Sequence, residues 1–461
     1  MSSHTYKFNI DPVIVPQIQT ENREIKTGIP CPGTRPIFEK LAKYESRSMQ
    51  GQIPLIWDRA IDFNIYDVCS NKFIDFTSTI FVANTGHGNK QVISAVKALL
   101  DIPLVHTYAY ISQIRADYIE KLIQFAGGNF EKAFLLSSGT EATEAAVKLM
   151  RMNGQKNGKK RPAIICIEGN WHGRTMGAQM LSSNSKQKQW IGFQDPNTFY
   201  MNFPYPWSLN GETGKSFFKK AFNRMINAEK IDISNDLCGF MLETFQGWGA
   251  IFYPTGFVQA IREVCNQHGL LLCFDEMQAG FGRTGKKFGY EHYGVDADLL
   301  CLGKGMGSGF PVSGVIGSAE VMDLPEVGDM SSTHSANPIV CAAAMATLDE
   351  IESHSLVEKS ATLGKLFHQK LNELKEKFPT KISHVLGKGL LAALHFNFNG
   401  TALSAFASEV CERSMQKGLL MVHTGRESIK LAPPLTISKE AILEGVAVIE
   451  EAVIETMGNY K

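Results

Sequence analysis

The sequence has no surplus of charge: 46 acidic residues balance 46 basic ones, so no global field draws the chain to nucleic acid or to an anionic membrane surface. A polyanionic partner would have to be small and locally bound. No segment approaches the run of about 18 apolar residues that spans a bilayer. The opening MSSHTYKFNIDPVIVPQ lacks the basic-then-apolar pattern of a secretory signal. A cytoplasmic protein is expected. The nine cysteines, scattered from Cys31 to Cys411, include no CxxC pair and are odd in number, so neither a disulfide framework nor a zinc site is expected. No HExxH or comparable histidine cluster is present, which argues against a metal hydrolase. Internal repeats and low-complexity tracts are absent as well.

What remains is a chain of 461 residues, 44% apolar and 20% charged, long enough for two or three domains with a deep dry core. From about residue 132, short apolar runs alternate with helical periodicity. KAFLLSS, AIICIEG, CGFMLETF, LLLCFDE, LLCLGKG and VSGVIGS read as buried strands, whereas TEATEAAVKLMRM and GFVQAIREVCNQHG read as helices. Strands without polar alternation are covered on both faces, which predicts an α/β fold with a mostly parallel sheet. In such sheets ligands bind beyond the carboxyl ends of the strands. Residues 1–75 and 336–461 carry further strand and helix signals, including NKFIDF, GLLAALHFN, GLLMVHTG and IKLAPP. The expected organisation is a large domain over 76–335 and a smaller one assembled from both chain ends.

Three features carry chemistry. LLLCFDEMQAGFGRTG places Asp275 and Glu276 at the end of an apolar run, where a desolvated carboxylate costs several kcal/mol unless a cation meets it. Lys304 ends another apolar run among Gly303, Gly305, Gly307 and Gly309. Unlike Lys286 and Lys287, it is placed to be desolvated, which lowers an amine's pKa and makes it a usable nucleophile toward a carbonyl. LLSSGTEATEAAVKLMR leads from a strand through Ser138, Gly139 and Thr140 into a helix with Ala142, Ala145, Ala146 and Leu149 on one face. Ser138 and Glu141 fit a capping box, yet Gly139 and Thr140 also offer amides, a hydroxyl and the positive dipole end to a phosphate. A phosphate seat, a carboxylate and a lone amine are the parts a pyridoxal phosphate enzyme needs: the lysine holds the cofactor as a Schiff base, and the carboxylate keeps its ring nitrogen protonated. Periodicity leaves open which of Asp275 and Glu276 serves, because a strand buried on both faces gives no in/out pattern.

SSGTEATEAAVKLMR, EGNWHGRT, ETFQGWG, CFDEMQAGFGRTG, LGKGMGSGFP, STHSANP and KLAPPLTIS resemble, in order and spacing, the motifs of class III pyridoxal-phosphate-dependent aminotransferases, the group of ornithine, acetylornithine and 4-aminobutyrate aminotransferases. IDFTSTIFVANTGHGNK is similar to the same family's N-terminal segment. The resemblance implies the fold type I transferase architecture, with pyridoxal 5'-phosphate as cofactor. It also implies that Asp275 pairs with the pyridine nitrogen, Gln278 lies near the phenolic oxygen and Lys304 is the Schiff-base lysine. Gly139 and Thr140 would hold the phosphate and Trp171 would stack on the ring. Thr333 would reach the phosphate of a neighbouring subunit, which implies a homodimer with shared sites. The implied reaction moves an amino group from an amine donor to an oxo-acid acceptor by ping-pong kinetics, Lys304 carrying the proton.

Two positions depart from the family's pattern. Where many members carry a glutamate after QG and an arginine before PPL, a pair that frees the arginine for the substrate's α-carboxylate, this chain has Trp248 and Lys430. Lysine keeps the charge and loses the planar fork, and tryptophan is no salt-bridge partner for it. Arg174 occupies a position that binds a substrate carboxylate in several members and is the expected anchor. Trp171 and Trp248 would give the pocket a broad aromatic wall, which favours a primary amine on an extended or ring-bearing skeleton. A racemase or aminomutase of the same fold uses the same lysine and carboxylate and remains an alternative. A non-catalytic scaffold is a more remote one.

Overall fold

The computed structural model describes residues 6–49 and 53–459, which form two compact units. One comprises residues 90–247 and 251–357, the other the described residues up to 89, residues 248–250 and residues 358–459.

The first unit is built on a seven-stranded sheet of β1 (Lys132–Leu136), β2 (Ala163–Ile167), β3 (Thr198–Met201), β4 (Leu237–Glu243), β5 (Leu271–Asp275), β6 (Leu299–Leu302) and β7 (Ser313–Gly317), in the order β1-β7-β6-β5-β4-β2-β3. Six of these strands, β7 among them, are the expected ones; β3 is an addition. β6, β5, β4, β2 and β3 run parallel, whereas β7 pairs antiparallel with both β6 and β1. Every residue of β2, β4, β5, β6 and β7 is buried, which is why their sequences show no alternation.

Helix α1 (Gly139–Lys156) packs on this sheet through Ala142, Ala145, Ala146 and Leu149, the face expected from its periodicity. Three alanines bring its axis close to the strands, and Leu149 fills the remaining depth. Leu149→Ala in such a core costs roughly 2–5 kcal/mol. The capping box of Ser138 and Glu141 is formed, with Ser138 N–H donating to Glu141 Oε2 at 2.7 Å. Helix α2 (Thr255–His268) buries Phe257, Val258, Ile261 and Cys265 and ends where Gly269 turns left-handed at φ 61°.

The second unit holds a ten-stranded sheet to which both chain ends contribute. Strand Lys72–Phe76 runs parallel to Leu419–His423, with Ile74 opposite Leu419 and Phe76 opposite Met421. Ser428–Leu431 and Leu391–Phe398 continue it antiparallel. The unit boundaries fall at 89/90 and 357/358, compared with the 75/76 and 335/336 expected. Residues 76–89 stay with the chain-end sheet because His87 and Asp62 exchange both backbone hydrogen bonds, each 2.8 Å. Helix Pro338–Ser353 stays with the other unit because Ala343 and Ala346 pack on Val92 and Val96. Among the described residues no helix is long and apolar enough to cross a membrane.

Candidate active site

Parallel pairing fixes the centre of the site. Asp275 at the carboxyl end of β5 lies opposite Glu243 at the end of β4 and opposite Cys301 in β6. Lys304 follows two residues after β6 ends. Its backbone has φ 45°, a left-handed conformation that a non-glycine residue adopts at some cost and that clusters at functional sites. A cavity of about 200 Å³ opens there, lined by Gly139, Thr140, Trp171, Asp275, Gln278 and Lys304 together with His172 and Glu243. All these residues belong to one compact unit.

The two acids of the opening motif separate cleanly. Asp275 faces the cavity, where its Oδ1 accepts the Met277 N–H at 3.0 Å and its Oδ2 meets His172 Nδ1 at 2.9 Å. Glu276 is fully buried and turns away, accepting the N–H groups of Gly289 and Tyr290 at 2.7 Å each and the Thr244 hydroxyl. Burial pushes its carboxyl up to about 7 against those three donors. It holds the 289–290 turn.

Lys304 forms no ion pair among the described residues. Desolvation lowers its amine below the ordinary lysine range, and the nearby Asp275 and Glu243 carboxyls oppose the shift without cancelling it. A larger share of the amine is therefore neutral at physiological pH, as a nucleophile or proton acceptor requires.

Gly139 and Thr140 open α1, so their amides have no partners within the helix. Thr140 Oγ1 lies 2.6 Å from Thr175 Oγ1, which donates in turn to Glu144 Oε1 at 2.6 Å. Gly173, at φ 144°, faces Thr140 so closely that a Cβ there would collide with the Thr140 hydroxyl. Capping is compatible with an anion seat here, because the box uses Ser138 and Glu141 and not the Gly139 and Thr140 amides.

Glu243 and His172 fall inside the motifs ETFQGWG and EGNWHGRT, which by themselves assign neither a role. Glu243 accepts the Trp171 N–H at 2.9 Å and the Gln278 side-chain amide at 3.4 Å, so one carboxyl steadies two cavity residues. Burial raises it to about 7, Asp275 adds to that, and His172 opposes it. The signal that marks Asp275, an acid ending an apolar run, also marks Glu243 in CGFMLETF. His172 Nε2 is a buried polar atom without a hydrogen-bond partner.

The remaining expected residues lie outside this cavity. Arg174 is exposed, its guanidinium 4.5 Å from the centre of the Trp171 ring. Thr333 is exposed, and its carbonyl accepts the His106 Nε2 proton at 2.8 Å. Trp248 and Lys430 belong to the chain-end unit. There the Arg426 guanidinium stacks 3.6 Å from the centre of the Trp248 ring, and Lys430 Nζ lies 4.6 Å from that of Phe81. Lys286 and Lys287 are exposed, as expected.

The donor set fits pyridoxal phosphate. Free amides at a helix start suit its phosphate, a carboxylate backed by histidine suits its ring nitrogen, and a desolvated amine suits its aldehyde.

Comparison with known proteins agrees. The family model described as aminotransferase class-III matches residues 46–453. The alanine/serine racemase of Pyrococcus horikoshii is 30% identical over 469 residues, covering 98% of this chain and 96% of its own. The acetylornithine aminotransferase of Methanocaldococcus jannaschii is 32% identical over 420 residues, covering 90% and 97%. An amine transaminase from an uncultivated Pseudomonas species, solved in its pyridoxal-phosphate-bound form, superposes with a TM-score of 0.80 at 25% identity over 89% of this chain and 97% of its own. With a family match across most of its length, the chain belongs to the class-III aminotransferases, enzymes that work with pyridoxal 5'-phosphate.

Proposed function

We propose that this aminotransferase takes its amino group from a primary amine of ω type on an extended or ring-bearing skeleton and passes it to an oxo acid in two half-reactions. The observation that carries the reading is the convergence of Lys304, Asp275, Gln278, Gly139, Thr140 and Trp171 on one cavity. Pyridoxal phosphate supplies an aldehyde that takes up an amine and a ring that accepts the electron pair left on the substrate carbon.

The chain's residues do the rest. Lys304 Nζ, its basicity lowered by desolvation, receives the proton leaving the substrate carbon and returns it, as base and then acid. Asp275, with His172 behind it, holds negative charge toward the ring nitrogen so that its proton is retained. Gln278, steadied by Glu243, would hold the phenolic oxygen. Trp171 would hold the ring, and the first amides of α1 would hold the phosphate. Arg174 anchors a substrate carboxylate, and Trp248 and Lys430 shape acceptor choice in place of the glutamate and arginine of other members.

The working form is a cytoplasmic homodimer in which Thr333 serves the neighbouring subunit's site. Ile102, Val105, Tyr110 and Ile111 are exposed apolar residues in the same segment as His106, which bonds the Thr333 carbonyl. A surface of that kind suits a partner subunit. Sedimentation of a monomer at micromolar concentration would refute this part.

Steady-state assays with 4-aminobutyrate, ornithine, an arylalkylamine and an amino sugar test the donor class, and exclusive use of an α-amine overturns it. Borohydride reduction should add the cofactor's mass to the wild-type chain and not to Lys304→Ala. A second reading, amino-acid racemisation, is favoured by the relative named as an alanine/serine racemase and by the missing glutamate–arginine pair. Conversion of a chiral amino acid to a product of equal mass without any oxo acid would select it.

A further inference from the structure

A second group of reactive side chains lies in the chain-end unit, and nothing in the aminotransferase chemistry uses it. Cys31, Asp67 and Cys69 come together where the segment leading into helix Thr34–Tyr44 meets the turn after strand Asn64–Asp67. Their sulfur and carboxylate oxygen atoms all lie within 4.8 Å of one another. Cysteine spacing gave no reason to expect this, since Cys31 stands far from the other two in sequence.

The carboxylate is the informative member. Asp67 is fully buried and forms no ion pair among the described residues. Its Oδ1 accepts the N–H groups of Cys69 and Asn71, each at 2.9 Å, and its Oδ2 accepts the Asn71 side-chain amide at 2.7 Å. A carboxylate has about four acceptor positions. Three are used, and the fourth, on Oδ2, remains. A buried carboxylate with no cation is costly, and two thiols stand where a cation would be met.

The thiols are only lightly engaged. Cys69 Sγ points at the Pro32 carbonyl at 3.4 Å, and Cys31 Sγ lies 3.8 Å from Thr34 Oγ1. Two thiolates and one carboxylate are a zinc donor set, and tetrahedral zinc with bonds of about 2.3 Å to sulfur and 2.0–2.2 Å to oxygen sets its ligand atoms about 3.5–3.8 Å apart. Zinc binding would close to that spacing atoms that already lie within 4.8 Å of one another. Cys69 is only partly buried, and Pro32 and Gly33 are exposed, so water has access to a fourth position.

We propose that Cys31, Cys69 and Asp67 bind one zinc ion, with water completing a tetrahedron, and that the ion fastens the segment before helix Thr34–Tyr44 to the turn at 67–71. Binding releases two thiol protons to the solvent, and no electron changes hands. Softer thiolate donors select zinc over magnesium or calcium.

The test uses the full chain with its cofactor bound, reduced by a phosphine and stripped with a chelator. One equivalent of zinc is restored, and bound zinc is measured by elemental mass spectrometry after dialysis. The expected result is one zinc per chain with a higher melting temperature than the stripped protein. Cys69→Ser, whose side chain is partly exposed, should lose the bound zinc while keeping the wild-type ratio of cofactor to protein. Cys31→Ala provides an independent check. Three results would overturn the proposal: no zinc retained by the wild type, equal zinc in wild type and Cys69→Ser, or a Cys31–Cys69 disulfide in protein whose reduced form takes up no zinc.

Discussion

His172 donates its Nδ1 proton to Asp275 Oδ2 across 2.9 Å, and both side chains are buried. An ionised Asp275 requires a proton on Nδ1, which fixes the imidazole's orientation. Asp275→Asn keeps the shape and loses the charge. Its kcat should fall by about 10²–10⁴-fold, the range for losing a positioned acid–base partner, with cofactor still bound. His172→Gln should fall less and shift the pH at which the bound cofactor's absorbance titrates. An Asp275→Asn enzyme within a few-fold of wild type would end the pairing with the ring nitrogen.

Gly173 sits at φ 144° against Thr140 and Ala178. A methyl group there collides with the Thr140 hydroxyl and strains the backbone, which costs on the order of 1–3 kcal/mol. Because Thr140 lies in the first turn of the helix proposed to seat the phosphate, Gly173→Ala should weaken cofactor binding about 10- to 100-fold. Spectroscopic titration of stripped protein with pyridoxal phosphate measures this directly. Unchanged affinity would mean that the phosphate sits elsewhere.

Glu276 gives a pH dependence that is independent of catalysis. Its carboxyl is raised from 4.5 to about 7 by burial, so between those values the folded state holds a proton that the unfolded state has released. Stability is therefore fully present below pH 4.5 and declines as pH rises toward 7. The loss from this group is on the order of 3 kcal/mol. Glu276→Gln should flatten that slope in urea unfolding followed across the window. Its plateau should also be lower, because an amide NH₂ in place of one oxygen faces the N–H of Gly289 or Tyr290. An equally steep slope in the variant would remove Glu276 as its source.

The sequence made the large sheet and the positions of Lys304 and Asp275 legible for one reason: each residue ends an uninterrupted apolar run, and such runs stop where a doubly covered strand emerges. Glu243 carried the same mark and went without a role because its partners, the Trp171 N–H and the Gln278 amide, come from distant segments. The choice between Asp275 and Glu276 was closed to periodicity because all five residues of β5 are buried. The antiparallel direction of β7 leaves no trace in composition. Cys31 and Asp67 meet only because two backbone turns coincide.

The last prediction concerns Trp248 and Lys430. Arg426 stacks on Trp248 at 3.6 Å, a partnership that no motif announced, since Arg426 lies in the turn before strand Ser428–Leu431. A carboxylate introduced by Trp248→Glu therefore meets the Arg426 guanidinium first, and Lys430 is held by its contact with Phe81. Trp248→Glu alone should leave use of 2-oxoglutarate little changed. Trp248→Glu with Lys430→Arg should lower the KM for 2-oxoglutarate, and adding Arg426→Ala should lower it further by releasing the new pair from competition. A two-point charge-assisted contact of about 1.5–3 kcal/mol corresponds to roughly 10- to 100-fold. If all three variants match the wild type in KM for 2-oxoglutarate, positions 248 and 430 do not govern the acceptor, and Arg174 becomes the residue to vary.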